Sequence, residues 1–143
     1  MSINPSRRAD GMFGIAKEAG TLLAEPYLGL WLNTDPATKR VRKLLIETHG
    51  TDLSIQLWGA SEDGLVDWGI RPAEAYVCTE ENGVEAASVF ASYDFGFMCC
   101  DLQLRLNKGI LPMMSWSRFR DDSGRSNTYV REFFYRAGAG GTD

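Results

Sequence analysis

Beyond residue 28, apolar and polar side chains alternate in short runs, each cut off by a cluster of turn-forming residues. The cleanest run places Leu53, Ile55 and Leu57 on one face and Ser54 and Gln56 on the other. A second sets Leu102, Leu104 and Leu106 against Asp101, Gln103 and Arg105. A period of two is the strand repeat, in which successive side chains point to opposite faces. The pattern predicts strands over residues 29–33, 41–48, 53–58, 68–79, 84–94, 97–106, 110–120 and 128–136. Asn33-Thr34-Asp35-Pro36, His49-Gly50-Thr51-Asp52, Glu80-Glu81-Asn82-Gly83, Asn107-Lys108-Gly109 and Asp121-Asp122-Ser123-Gly124-Arg125 supply reversals, and 59–67 reads as a polar loop. Ahead of the strands, Asp10 caps a predicted helix over 11–24. Gly11, Gly14 and Gly20 weaken that helix and Pro26 stops it.

Eight strands on short links, with no helical crossover among them, exclude a parallel α/β fold. The pattern suits a sandwich or an up-and-down barrel, and closure favours the barrel because it removes both sheet edges. The expected architecture is all-β: an eight-stranded antiparallel up-and-down β-barrel over 27–136. A tail and short helix over 1–26 precede it, and a flexible tail over 137–143 follows. At 143 residues the chain fits one domain with a real core.

Charge narrows the partners. A net charge of −4 and a pI near 5.0 argue against nucleic acid. The basic run Lys39, Arg40, Arg42 and Lys43 reads as solvated charge on a strand and its preceding turn. No apolar run reaches the roughly 20 residues of a membrane span, and residues 12–23 make a poor signal-peptide core. Three cysteines, with Cys99 and Cys100 adjacent and pointing to opposite faces, suit reduced thiols in the cytoplasm better than a disulfide. There is no Cys/His cluster, Walker glycine loop, HExxH or calcium-loop spacing, so neither a metal nor a cofactor is expected. His49 is the sole histidine and lies in a turn, which leaves a Ser-His-Asp arrangement little basis.

Gly29-Leu30-Trp31 in the first strand, with Arg136 ending the eighth, resembles the Gly-x-Trp and C-terminal arginine signature of lipocalin- and avidin-like (calycin) barrels. A wider likeness runs through Asn33–Thr38, Trp58-Gly59, Asp67-Trp68-Gly69, Phe119, Asp122–Arg125 and Glu132-Phe133-Phe134-Tyr135-Arg136. It is similar to a group of small, mostly uncharacterised lipocalin-like proteins. The resemblance implies that Gly29, Trp31 and Arg136 close the barrel, with the guanidinium stacked on the indole. In that group the loop between the two Trp-Gly pairs carries two cysteines. Here Ser61 and Val66 stand in those places, so a disulfide clip is not expected.

The interior of an eight-stranded barrel either fills with side chains or holds one small ligand. Aromatic and methionine side chains suit an apolar or planar guest. The expected lining is Trp68, Tyr76, Phe90, Tyr93, Met114, Trp116, Glu132 and Phe134. If Arg136 points inward, alternation turns Phe134, Glu132 and Val130 inward too. Glu132 is then a carboxylate in apolar surroundings, which must meet Arg136 or another donor, or carry a raised pKa. The leading expectation is a small-molecule-binding barrel for an apolar or aromatic ligand. One alternative is a cyclase or isomerase in which Glu132 or Tyr76 steers protons. The other is a filled barrel that serves as a structural or oligomerising module, with homo-oligomerisation left open.

Overall fold

The computed structural model describes residues 17–80 and 83–138. A helix α1 (Lys17–Leu23) and one 3₁₀ turn (Glu25–Tyr27) lead into eight strands. They are β1 (Gly29–Asn33), β2 (Val41–His49), β3 (Asp52–Ser61), β4 (Gly64–Glu80), β5 (Gly83–Asp94), β6 (Met98–Leu104), β7 (Ile110–Phe119) and β8 (Thr128–Arg136). Every neighbouring pair is antiparallel, and β8 returns to β1 through Trp31↔Arg136, Leu32↔Tyr135 and Asn33↔Phe134. The sheet is therefore a closed up-and-down barrel with no free edge, as the alternation predicts.

Two expectations need adjusting. The stretch over 59–67 is not a loop: β3 and β4 stay paired through Gly59↔Val66, Ala60↔Leu65 and Ser61↔Gly64. The hairpin tip runs past the core there, so Leu65 and Val66 on its opposite faces are both exposed and the period-two signal vanishes. The helix is observed over Lys17–Leu23, while Asp10 and residues 11–16 lie outside the described residues, as does most of the C-terminal tail.

Inward positions of the strands build one core. Leu44, Ile55, Leu57, Leu102, Leu111 and Phe134 are among its fully buried members. A side chain that no water can touch has no water-sized void beside it, so this layer of the barrel holds no room for a guest. Small irregularities set the rest. Between Gln56/Trp58 the pairing with β4 slips by one residue, which sets Trp68 and Gly69 on β4 against Leu57 alone. Gly69 takes φ +94, and Trp68 swings over Gly59, where an added Cβ would lie 2.6 Å from its ring nitrogen. No helix among the described residues is long and apolar enough to cross a membrane.

Candidate functional site

The barrel ends differ. At the floor, the chain entering β1 crosses the opening, with Ala24 and Tyr27 buried. Trp31 donates its indole N–H to Tyr27 O at 2.9 Å, and the Arg136 guanidinium lies 4.3 Å from the centre of the Trp31 ring. Arg136 also donates to Leu28 O and, at 2.6 Å, to Pro26 O. Gly29 is needed between them: its φ is +118, and a Cβ there would sit 2.9 Å from Arg136 Nη1. The Leu106 N–H donates to the Tyr27 hydroxyl at 3.0 Å, and the Thr21 hydroxyl donates to Thr51 O at 2.6 Å. Gly29, Trp31 and Arg136 thus meet as a floor whose polar groups are all bonded to backbone or stacked.

The other end, ringed by the links after β1, β3, β5 and β7, is a mouth. Cross-strand pairing fixes its inward residues. Ser115 sits opposite buried Leu102, Ser117 opposite buried Cys100, and Val130 opposite Ser115. All three inward side chains, Ser115, Ser117 and Val130, are only half-buried. So are Trp68, Phe95 and Met98, which pack on the core from β4, the β5–β6 link and β6. These inward but accessible side chains make this end less closely packed than the buried layer beneath it.

One wall of the mouth is aromatic. Trp68 meets Tyr93 and Phe95 edge-on, at 5.7 and 5.5 Å between centroids, while Tyr93 and Phe95 stack at 5.7 Å. The Tyr93 hydroxyl donates to Gly69 O at 2.7 Å, which ties this cluster to the β4 bulge. Burial pushes its phenol up to about 12, so it stays neutral at ordinary pH. The opposite wall, from β8 and β1, carries Glu132, which is 8% exposed. Its carboxylate accepts from Thr38, from the Val41 N–H and, at a long 3.5 Å, from Asn33 Nδ2. That Asn33 amide bonds Val41 O more closely, at 2.8 Å. Burial raises the Glu132 pKa, and these donors together with the Arg40 charge only partly offset it. Cys100 shares the interior; burial pushes its thiol up, which disfavours the thiolate.

The expected lining residues divide. Trp68, Tyr93, Glu132 and Phe134 face inward, with Phe134 sunk in the filled layer. Tyr76, Phe90, Met114 and Trp116 face outward, because the strand alternation anchored by buried Ala73, Val89 and Met113 turns them away from the core. Tyr76 is 52% exposed and Trp116 is 40% exposed. Tyr76 meets Phe90, and Trp116 meets Tyr129, on the outer wall. Tyr76 and Glu132 thus lie on opposite sides of the sheet and cannot share a proton path. Glu132 also does not meet Arg136, which bonds at the floor; hydroxyl and amide donors serve it instead. Asn33, Thr38, Phe95, Ser115 and Ser117 were not foreseen. Pairing Glu132 outward through β7 and β1 is the signal that would have found them.

Two depressions lie elsewhere. One, of about 830 Å³, runs between α1, the β2–β3 turn and β4, and is lined by Thr21, His49, Leu53, Ile70 and Ala75 among others. Its buried hydroxyl, Thr21, is already bonded to Thr51 O. The other, of about 550 Å³, is on the outer wall between Arg105, Met114, Tyr129 and Arg131. Neither gathers buried polar groups as the mouth does, so the mouth is the candidate site. Among the described residues no cluster of His, Cys, Asp or Glu could hold a metal ion. No family model, curated protein or solved structure matches the chain.

Proposed function

We propose that this chain is a lipocalin-like small-molecule-binding barrel, acting in the cytoplasm, with an apolar or aromatic ligand held in the mouth half of the interior. One observation carries this reading: inward side chains at the mouth, Trp68, Met98, Ser115 and Val130, are accessible above a layer that is filled. The floor built from Gly29, Trp31 and Arg136 agrees with the resemblance in sequence. Buried thiols at Cys99 and Cys100 agree with a reducing compartment. Neither nucleic acid nor a membrane is a partner in this reading.

Titration with N-phenylnaphthylamine tests it. Saturable binding of one dye per chain, weakened about tenfold or more by Trp68→Leu, is the expected result. Binding that never saturates, or that ignores Trp68→Leu, overturns it. A second reading, a self-associating module, is favoured by the outward row of Ile110, Trp116, Tyr129 and Phe133, all exposed on β7 and β8. A mass in solution at a multiple of 15.9 kDa, lost in Trp116→Ser, supports it. The catalytic alternative retains only Glu132 of its two candidate residues.

A further inference from the structure

Resting on that binding reading, we propose that the ligand of the mouth is an organic cation: a protonated amine carried on a planar apolar body, with the ammonium at Glu132. The mouth divides its chemistry between two walls. Trp68 and Phe95 offer half-buried aromatic surface, with Tyr93 buried behind them, and aromatic faces attract cations as well as packing against rings. Across from them Glu132 is sunk at the depth where the filled layer ends, since its partner across the β7–β8 pair is buried Met113. The next inward pair up, Ser115 and Val130, is accessible.

Glu132 has donors but no countercharge in contact. Among the described residues no lysine or arginine forms an ion pair with it, and Arg40 acts on it only through space. Its hydrogen-bond partners are neutral, Asn33 from β1 and Thr38 and the Val41 N–H from the β1–β2 side, as are Met113 and Ser115 on β7, while the Arg42 guanidinium from β2 donates to Thr38 O at 3.3 Å. Cys100 faces it from β6 as a thiol. A buried carboxylate without a cation is costly to keep ionised, and a cation arriving from the mouth removes that cost. An anionic guest would meet the same carboxylate as repulsion. The Ser115 hydroxyl, one inward pair above Glu132, can accept another ammonium hydrogen.

Isosteric naphthalene derivatives test the charge preference by calorimetry. At neutral pH, naphthylmethylamine is expected to bind about tenfold or more tighter than naphthalenemethanol, the worth of one charge-assisted hydrogen bond, with naphthoate weakest. Glu132→Gln should bring amine and alcohol to equal affinity while the alcohol still binds. If that variant does not fold, the wild-type protein supplies the same test. The amine-to-alcohol ratio should fall toward one as pH drops to about 4, where a carboxyl is protonated and the amine keeps its charge. Equal affinities at neutral pH, or a ratio indifferent to both Glu132→Gln and pH, overturn the cation assignment and leave the binding reading intact. If none of the three compounds binds, both fall.

Discussion

The floor and the mouth close the same barrel by opposite means. At the floor, the hydrogen-bonding groups of Trp31 and Arg136 meet backbone carbonyls, and the cation rests on an indole face. These partners do not titrate near neutral pH, and none is left for a guest. At the mouth, inward positions hold Glu132, Ser115, Ser117 and Cys100, with water able to reach the hydroxyls. Stacking and backbone hydrogen bonds hold the Trp31–Arg136 side of the floor, whereas the mouth leaves its inward polar groups partly accessible. Contacts that hold the fold and groups that could do chemistry are thus segregated along the barrel axis.

The largest test of that contrast is a pair of truncations. Trp31→Ala should cost about 3–5 kcal/mol in denaturant unfolding, the usual range for a buried tryptophan. Half-buried Trp68→Ala should cost about half as much, because less apolar area leaves water. Equal costs would break the comparison. Next, Gly59→Ala forces the Trp68 ring out of its place and should cost about 1–3 kcal/mol, with a changed tryptophan emission spectrum. Arg136→Lys keeps the charge but loses the planar fork that serves both Pro26 O and Leu28 O. A loss of about 1–2 kcal/mol is expected in the same unfolding assay.

A smaller effect belongs to alkaline solution. Tyr93 ionises at about 12 in the folded chain, against an ordinary 10.0 for the exposed group. Between those values the unfolded chain has released a proton that the folded chain keeps, so stability falls as pH rises through the window. Phenolate absorbance should show Tyr93 still protonated at about pH 11, and Tyr93→Phe should flatten the fall in stability. The smallest change is expected from Arg125→Ala at the rim. Arg125 lies 4.2 Å over Phe119 and pairs with Asp121 at 2.7 Å, but both partners of that ion pair are solvent-exposed. Its loss should shift stability by no more than about 0.5 kcal/mol.

Legibility in the sequence follows the same axis. Both bounds of β1 and β8 were readable, because Asn33-Thr34-Asp35-Pro36 and the turn before Thr128 punctuate the chain sharply. The pairing of Trp31 with Arg136 was readable from motif and strand order together. At the mouth the usual sign of the pattern inverts. Along β7 the inward residues past Met113 are Ser115 and Ser117, while the apolar Met114 and Trp116 point out. A rule that turns apolar residues inward therefore chose the wrong parity there, and Tyr76 and Phe90 on β4 and β5 were misplaced likewise. Trp68 faces inward for a different reason: a bulge on β4 turns it over Gly59.

The resemblance pointed to the residues that shut the floor; by itself the sequence pattern determined the number of strands, their order and the antiparallel barrel. Local alternation and turn chemistry carry that information, and they act within a few neighbours along the chain. Only the tertiary structure decided which aromatics face the interior, and that Glu132 meets Asn33, Thr38 and the Val41 N–H rather than Arg136. Register and bulges are settled between strands distant in sequence, where one extra residue changes which side chains face the interior.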